Sequence, residues 1–157
     1  MLIELVLNVN GRDHKVAARA HETLLQVLRD RLNLLSVREA CGVGMCGSCT
    51  VLVEGKPLSA CLLLASQIER KPLVTLEGLA RDGALHPIQE AYLKASGFQC
   101  SFCTPGFILT TKALLEETPN PTDDEIREYL AGNLCRCGSY VKILQAVKAV
   151  KEVPRDE

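Results

Sequence analysis

The chain has 157 residues, 47% hydrophobic and 24% charged, with a formal net charge of -1. That length suits one ordinary domain or two small ones, and the balance is that of a soluble globular protein. The near-zero charge, 4% aromatic content and absence of tryptophan argue against nucleic acid or an anionic membrane surface as a partner. Met1 to Asn8 has neither a basic start nor a long apolar run, and no later stretch reaches membrane-spanning length. A cytoplasmic protein is expected.

Ile3, Leu5, Leu7 and Val9 alternate against Glu4, Val6 and Asn8, which predicts a strand with one strongly apolar face. Asn10-Gly11 predicts a tight hairpin, because both residues tolerate positive φ, and Lys15 to Ala18 forms the return strand. Thr23 to Gln26 has capping-box spacing and opens a helix with Leu24, Leu25, Val27, Leu28 and Leu32 on its apolar face. A glycine-rich segment from residue 40 carries three cysteines. Thr50 to Glu54 predicts a strand, Glu54-Gly55-Lys56-Pro57 a turn, and Leu73 to Leu76 a short last strand. Together these make a small α+β unit.

After Glu77 the pattern is helical only. His86-Pro87 places a proline at a helix start that continues over 88–96, and Thr104-Pro105 repeats the signal before a helix to Glu116. Pro119 and Pro121 break the chain, and Thr122 to Glu125 caps a third helix. A fourth runs from Tyr140 to Val150. Four helices with short connections predict a four-helix bundle. Gly78 and Arg81-Asp82-Gly83 read as linker, dividing the chain into 1–77 and 78–157.

Eight cysteines, all in clustered spacings, are more than a chain without an export signal would spend on disulfides, so they read as metal ligands. Cys41, Cys46 and Cys49 form C-x4-C-x2-C, and Cys61 follows after 11 further residues. That is the plant-type ferredoxin spacing for a 2Fe–2S cluster. Gly42, Gly44 and Gly47 interleave with these ligands, letting backbone N–H groups approach the sulfurs without Cβ obstruction. A structural zinc site more often pairs two short knuckles. Cys100 and Cys103 form C-x2-C, and Cys135 and Cys137 form C-x-C, with 31 residues between the pairs. On spacing alone this second set leaves a cluster or a zinc site open, and a thioredoxin-like pair lacks its βαβ setting. Both pairs sit just before predicted helices, whose positive ends would favour an anionic cluster. His14, His21 and His86 are isolated and fit surface or capping roles. No dinucleotide fingerprint, P-loop or Ser/His/Asp set stands out, so no catalytic residue is assigned.

The segments CGVGMCGSCT from Cys41, QCSFCTPG from Gln99 and GNLCRC from Gly132 resemble the small iron–sulfur subunit of the molybdenum hydroxylases. This is the xanthine oxidase, aldehyde oxidoreductase and carbon monoxide dehydrogenase family, and the likeness runs from about residue 3 to residue 152. The resemblance implies a β-grasp plant-type ferredoxin domain holding one 2Fe–2S cluster on Cys41, Cys46, Cys49 and Cys61. It implies a four-helix bundle holding a second on Cys100, Cys103, Cys135 and Cys137. It further implies pterin contacts at Gln99 and Cys137, and partner subunits carrying the other cofactors. Those are a large molybdopterin-binding subunit, with the cofactor as a cytosine dinucleotide, and a medium FAD-binding subunit, in a heterotrimer or a dimer of heterotrimers. Single electrons would pass from molybdopterin through the bundle cluster and the ferredoxin cluster to FAD, with no substrate chemistry on this chain. A freestanding two-cluster ferredoxin and a zinc-stabilised interaction module are the rival readings. One departure stands out: Gly138-Ser139 occupies the place where the family usually carries Thr-Gly after its last cysteine.

Overall fold

A computed structural model describes residues 1–150; the end of the expected second domain, 151–157, and of the family likeness lies outside the described residues. The first elements are β1 (Leu2–Val9), β2 (Arg12–Arg19) and α1 (Leu24–Asp30), followed by β3 (Thr50–Val53), β4 (Lys56–Ser59) and β5 (Pro72–Val74). The helices α2 (Pro87–Lys94), α3 (Thr104–Glu117), α4 (Asp123–Tyr129) and α5 (Tyr140–Ala149) follow. One sheet has the strand order β2-β1-β5-β3-β4. All its pairings are antiparallel except that of β1 with β5. No described helix is long and apolar enough to cross a membrane.

Local chemistry explains most boundaries. Asn10 and Gly11 both adopt positive φ, so pairing begins at once and β2 starts at Arg12, earlier than expected. Thr23 and Gln26 form the reciprocal capping box that opens α1. That helix is shorter than its leucine pattern suggests: Asn33 turns to φ 54° and the Leu34 N–H bonds back to Leu28 O, which leaves Leu32 outside it. The turn after β3 is only Glu54-Gly55, and Pro57 belongs to β4. Pro57 is tolerated there because β4 lies at the sheet edge. The last strand covers Pro72–Val74, slightly earlier than expected.

Two apolar cores share one wall. The first packs α1 against Leu5, Leu7 and Val9 of β1 and Val51 and Val53 of β3. All four residues of β3 are buried, so its opposite face must also be covered. Leu52 points into the second core, among Phe107, Ile108, Tyr92, Ile126 and Ile143. The covering helix is α3, buried continuously from Pro105 to Leu115. Buried on all sides, with Thr110, Thr111 and Lys112 among its buried residues, it has the position of a central helix.

Candidate metal centres

The β3–β4 hairpin assembles half of the first cysteine set. Its register pairs Thr50 with Ser59, and the Ala60 N–H donates to Cys49 O at 3.3 Å, which brings Cys61 beside Cys49. The loop between α1 and β3 carries Cys41 and Cys46. Val43 and Met45 N–H groups point at Cys41 Sγ at 3.5 and 3.4 Å, where the intervening glycines turn to positive φ. These donors, led by Val43, with Cys46 contributing a further N–H and its thiol, bring the Cys41 thiol down to about 6. Cys49 is buried, and burial pushes its thiol up to about 12 despite an N–H from Cys61. The sulfurs stand as two pairs, Cys41 with Cys46 and Cys49 with Cys61.

The second set lies at two helix starts. Cys103 is the N-cap residue of α3, and Cys135 and Cys137 precede α5. Phe107 of α3 and Tyr140 of α5 meet edge to face with centroids 6.3 Å apart, which holds the two helix ends together. The Tyr140 hydroxyl oxygen accepts the Cys135 N–H at 2.8 Å. Cys100 and Cys137 sulfurs are 3.5 Å apart, and Cys103 contacts Cys135. The pattern of the first site repeats. Exposed Cys100 is acidified, first by the Phe102 N–H and then by the Cys137 thiol. Burial pushes Cys103 up to about 12. Cys135 loses some acidity to burial, but the Ser139 N–H at 3.4 Å and the Cys103 thiol bring it below the usual thiol range.

The two sets meet back to back. The Leu134 N–H donates to Cys46 O at 2.9 Å, so a residue adjoining Cys135 is bonded to a cysteine of the other set. Asn133 is buried beside that bond; its Nδ2 donates to Gly47 O at 3.1 Å and its Oδ1 accepts from Thr110 Oγ1 at 2.9 Å. At Gly47 and Gly106, beside this amide, only glycine fits without a shift. A Cβ at Gly106 would stand 2.2 Å from Gly47 O, and one at Gly47 would stand 2.4 Å from Asn133 Nδ2. Gln99 is exposed, and its Nε2 donates to Cys137 O at 3.1 Å, which places both expected pterin contacts on one surface. Gly138 adopts φ 74°, and this turn aims the Ser139 N–H at Cys135 Sγ.

The eight cysteines, Gln99 and the helix starts were legible in the sequence; Asn133 gave a signal only as part of the GNL segment. Thr110 and Tyr140 had none beyond helix formation. His86 has the capping role expected of it, its Nδ1 accepting the Ile88 N–H at 3.2 Å.

Residues 7–77 match the family model described as a 2Fe-2S iron-sulfur cluster binding domain, and residues 75–148 match the 2Fe-2S binding domain. The chain is 45% identical over 150 residues to the nicotinate dehydrogenase small FeS subunit of Eubacterium barkeri, covering 96% of each chain. It belongs to the iron–sulfur subunit family of the molybdenum hydroxylases. Identity to the nicotine 6-hydroxylase small subunit of Paenarthrobacter nicotinovorans is 44%, over 92% of this chain and 87% of that one. Quinoline 2-oxidoreductase of Pseudomonas putida 86 has a chain of the same fold, with a TM-score of 0.92 at 36% identity, covering 94% of this chain and 91% of that chain. The mixed fold of one small sheet and five α-helices is therefore that of the family's small subunit.

The donor sets fit such clusters. All ligand candidates are thiols, the sulfurs pair two and two as two irons require, and backbone N–H groups converge on Cys41 and Cys135. Thr104 Oγ1, which adjoins Cys103, is buried without a hydrogen-bond partner among the described residues. A cluster sulfide would offer it an acceptor.

Proposed function

We propose that Cys41, Cys46, Cys49 and Cys61 hold one 2Fe–2S cluster, and Cys100, Cys103, Cys135 and Cys137 the other. In this reading residues 1–77 form a β-grasp domain and 78–157 a four-helix bundle around the central α3. The chain relays single electrons between a molybdopterin centre on a large subunit and a flavin on a medium one, within a cytoplasmic heterotrimer or its dimer. A 2Fe–2S cluster supplies reversible one-electron reduction, and the protein's residues supply everything that makes the transfer directed. The observation that carries the reading is the 2.9 Å bond from the Leu134 N–H to Cys46 O. It joins the two sets through one hydrogen bond and a few covalent bonds, a short route for tunnelling.

Each residue has a defined task. Val43 and Met45 N–H groups stabilise negative charge on Cys41 Sγ, and the Ser139 N–H does the same for Cys135. Asn133 fixes the spacing between the sets. Gln99, Cys100 and Cys137 share the surface where an electron from a pterin would enter. Exposed Val43 and Met45 border the first set, where a flavoprotein would take it away. The N-termini of α3 and α5 add a positive field at the second set.

The test is purification of the untagged protein from its native source. Co-purification with molybdenum and flavin supports the subunit reading. A lone, iron-loaded monomer means a freestanding ferredoxin, and a colourless zinc-loaded one means an interaction module.

A further inference from the structure

Arg38 lies outside both cysteine sets, yet it spans them. Its backbone N–H donates to Ser48 O at 3.2 Å, anchoring it in the first loop. Its side chain crosses to the second loop, where Nη1 donates to Ser101 O between Cys100 and Cys103. The guanidinium also lies over the Phe102 ring, 5.3 Å from its centroid. Ser101 adopts φ 62°, a left-handed conformation that costs a residue with a side chain about 1 kcal/mol and persists only where contacts enforce it. The two ends of one peptide unit are thereby both engaged. The Ser101 carbonyl faces Arg38, and the Phe102 N–H on the other side faces Cys100 Sγ.

We infer that Arg38 is a positioning residue for the second cluster: by clamping the Ser101–Phe102 peptide, it aims an N–H at a cluster sulfur and places a cation beside it. This inference rests on the cluster assignment above and extends it, because a residue of the first loop then sets the potential of the other site. Reduction adds one negative charge to a cluster. A nearby cation and an N–H donated to sulfur both favour that reduced form, so both raise the potential. Losing Arg38 removes both effects at the second site. At the first site it removes no N–H donated to sulfur, because those donors are Val43 and Met45 and the Arg38 anchor is its main-chain N–H, which every substitution except proline retains.

The test is an EPR-monitored redox titration of the full chain with both clusters loaded, in wild type, Arg38→Met and Arg38→Lys. The signal of the second site is identified as the one that Cys103→Ser removes. Arg38→Met is expected to weaken electron affinity at the second site about tenfold, or ~59 mV for one electron. The first site should move by much less. Arg38→Lys keeps the charge but loses the planar fork and its stacking, so it should shift the same site in the same direction by a smaller amount. An unchanged second potential, or equal shifts at both sites, overturns the inference. If Arg38→Met does not load iron, Arg38→Lys and Phe102→Leu decide the same question, since each weakens the clamp without burying anything new. A wild-type protein lacking two signals would fail the cluster assignment, which is a separate outcome.

Discussion

The two halves of the molecule gather four thiols by opposite means. In the first half, one glycine-punctuated loop supplies Cys41, Cys46 and Cys49, and a hairpin register delivers Cys61. In the second, short pairs at the starts of α3 and α5 meet because Phe107 packs against Tyr140. The first solution is local, and the second depends on tertiary packing. Yet both end in the same gradient, with an acidified thiol (half-buried Cys41, exposed Cys100) and a buried one pushed up to about 12 (Cys49, Cys103). The lesson is that backbone N–H groups and burial, not the surrounding fold class, define such a site.

The largest expected effect comes from splitting the two sites apart. Cys103→Ser should remove one of two EPR species and half the iron, leaving the other species intact. Loss of both from a chain whose circular dichroism is unchanged would contradict the independence of the two sites.

The seam between the halves is next. Gly106→Ala drives a Cβ to 2.2 Å from Gly47 O, a contact that forces α3 away from the first loop. We expect a loss of about 1–3 kcal/mol in chemical denaturation, the usual range for overpacking a core. A variant as stable as wild type would show that the seam yields easily.

Asn133→Ala tests the same seam by deletion. It removes the donor to Gly47 O and the acceptor for Thr110, but Gly47 O keeps the Thr50 N–H and hydroxyl and Thr110 keeps Gly106 O, so we expect a loss of about 1 kcal/mol for the hydrogen bonds removed. Hydrogen exchange at the Leu134 amide should accelerate markedly, with little change at α4. Unchanged protection there would detach Asn133 from the bond between the sites.

The smallest effect is electrostatic. Burial would raise the Glu77 carboxyl, but hydrogen bonds from the Ser36 hydroxyl, the Thr75 hydroxyl and the Ser36 N–H outweigh it and lower it below 4.5. A lowered folded value means that the stabilisation is present above 4.5 and is lost as pH falls through the folded value. Glu77→Gln should therefore be less stable than wild type at pH 7, with the gap closing in acid. A gap that persists unchanged at low pH would mean that shape, not charge, matters there.

What could be read from the sequence divides along the same line. The Asn10-Gly11 turn, the Thr23 and Thr122 capping boxes and the prolines opening α2 and α3 were all legible, because each is settled within a few residues. The end of α1 was not, since Leu32 keeps the helical spacing while Asn33 turns the chain away. Asn133 and Arg38 were invisible as contacts: the first reaches Gly47 across 86 residues and the second reaches Ser101 across 63. Both are ordinary polar residues by local pattern. Only folding gives them partners. The cysteines stood out because each group is set by spacings of a few residues, whereas a hydrogen bond between distant loops leaves no spacing to read.

The most direct test measures iron, acid-labile sulfide and low-temperature EPR on one fully loaded, reduced sample. The account expects four irons and four sulfides per chain, from two clusters of the 2Fe–2S type, with two separable signals. A stoichiometry of two, or a single signal that integrates to one spin, would contradict it.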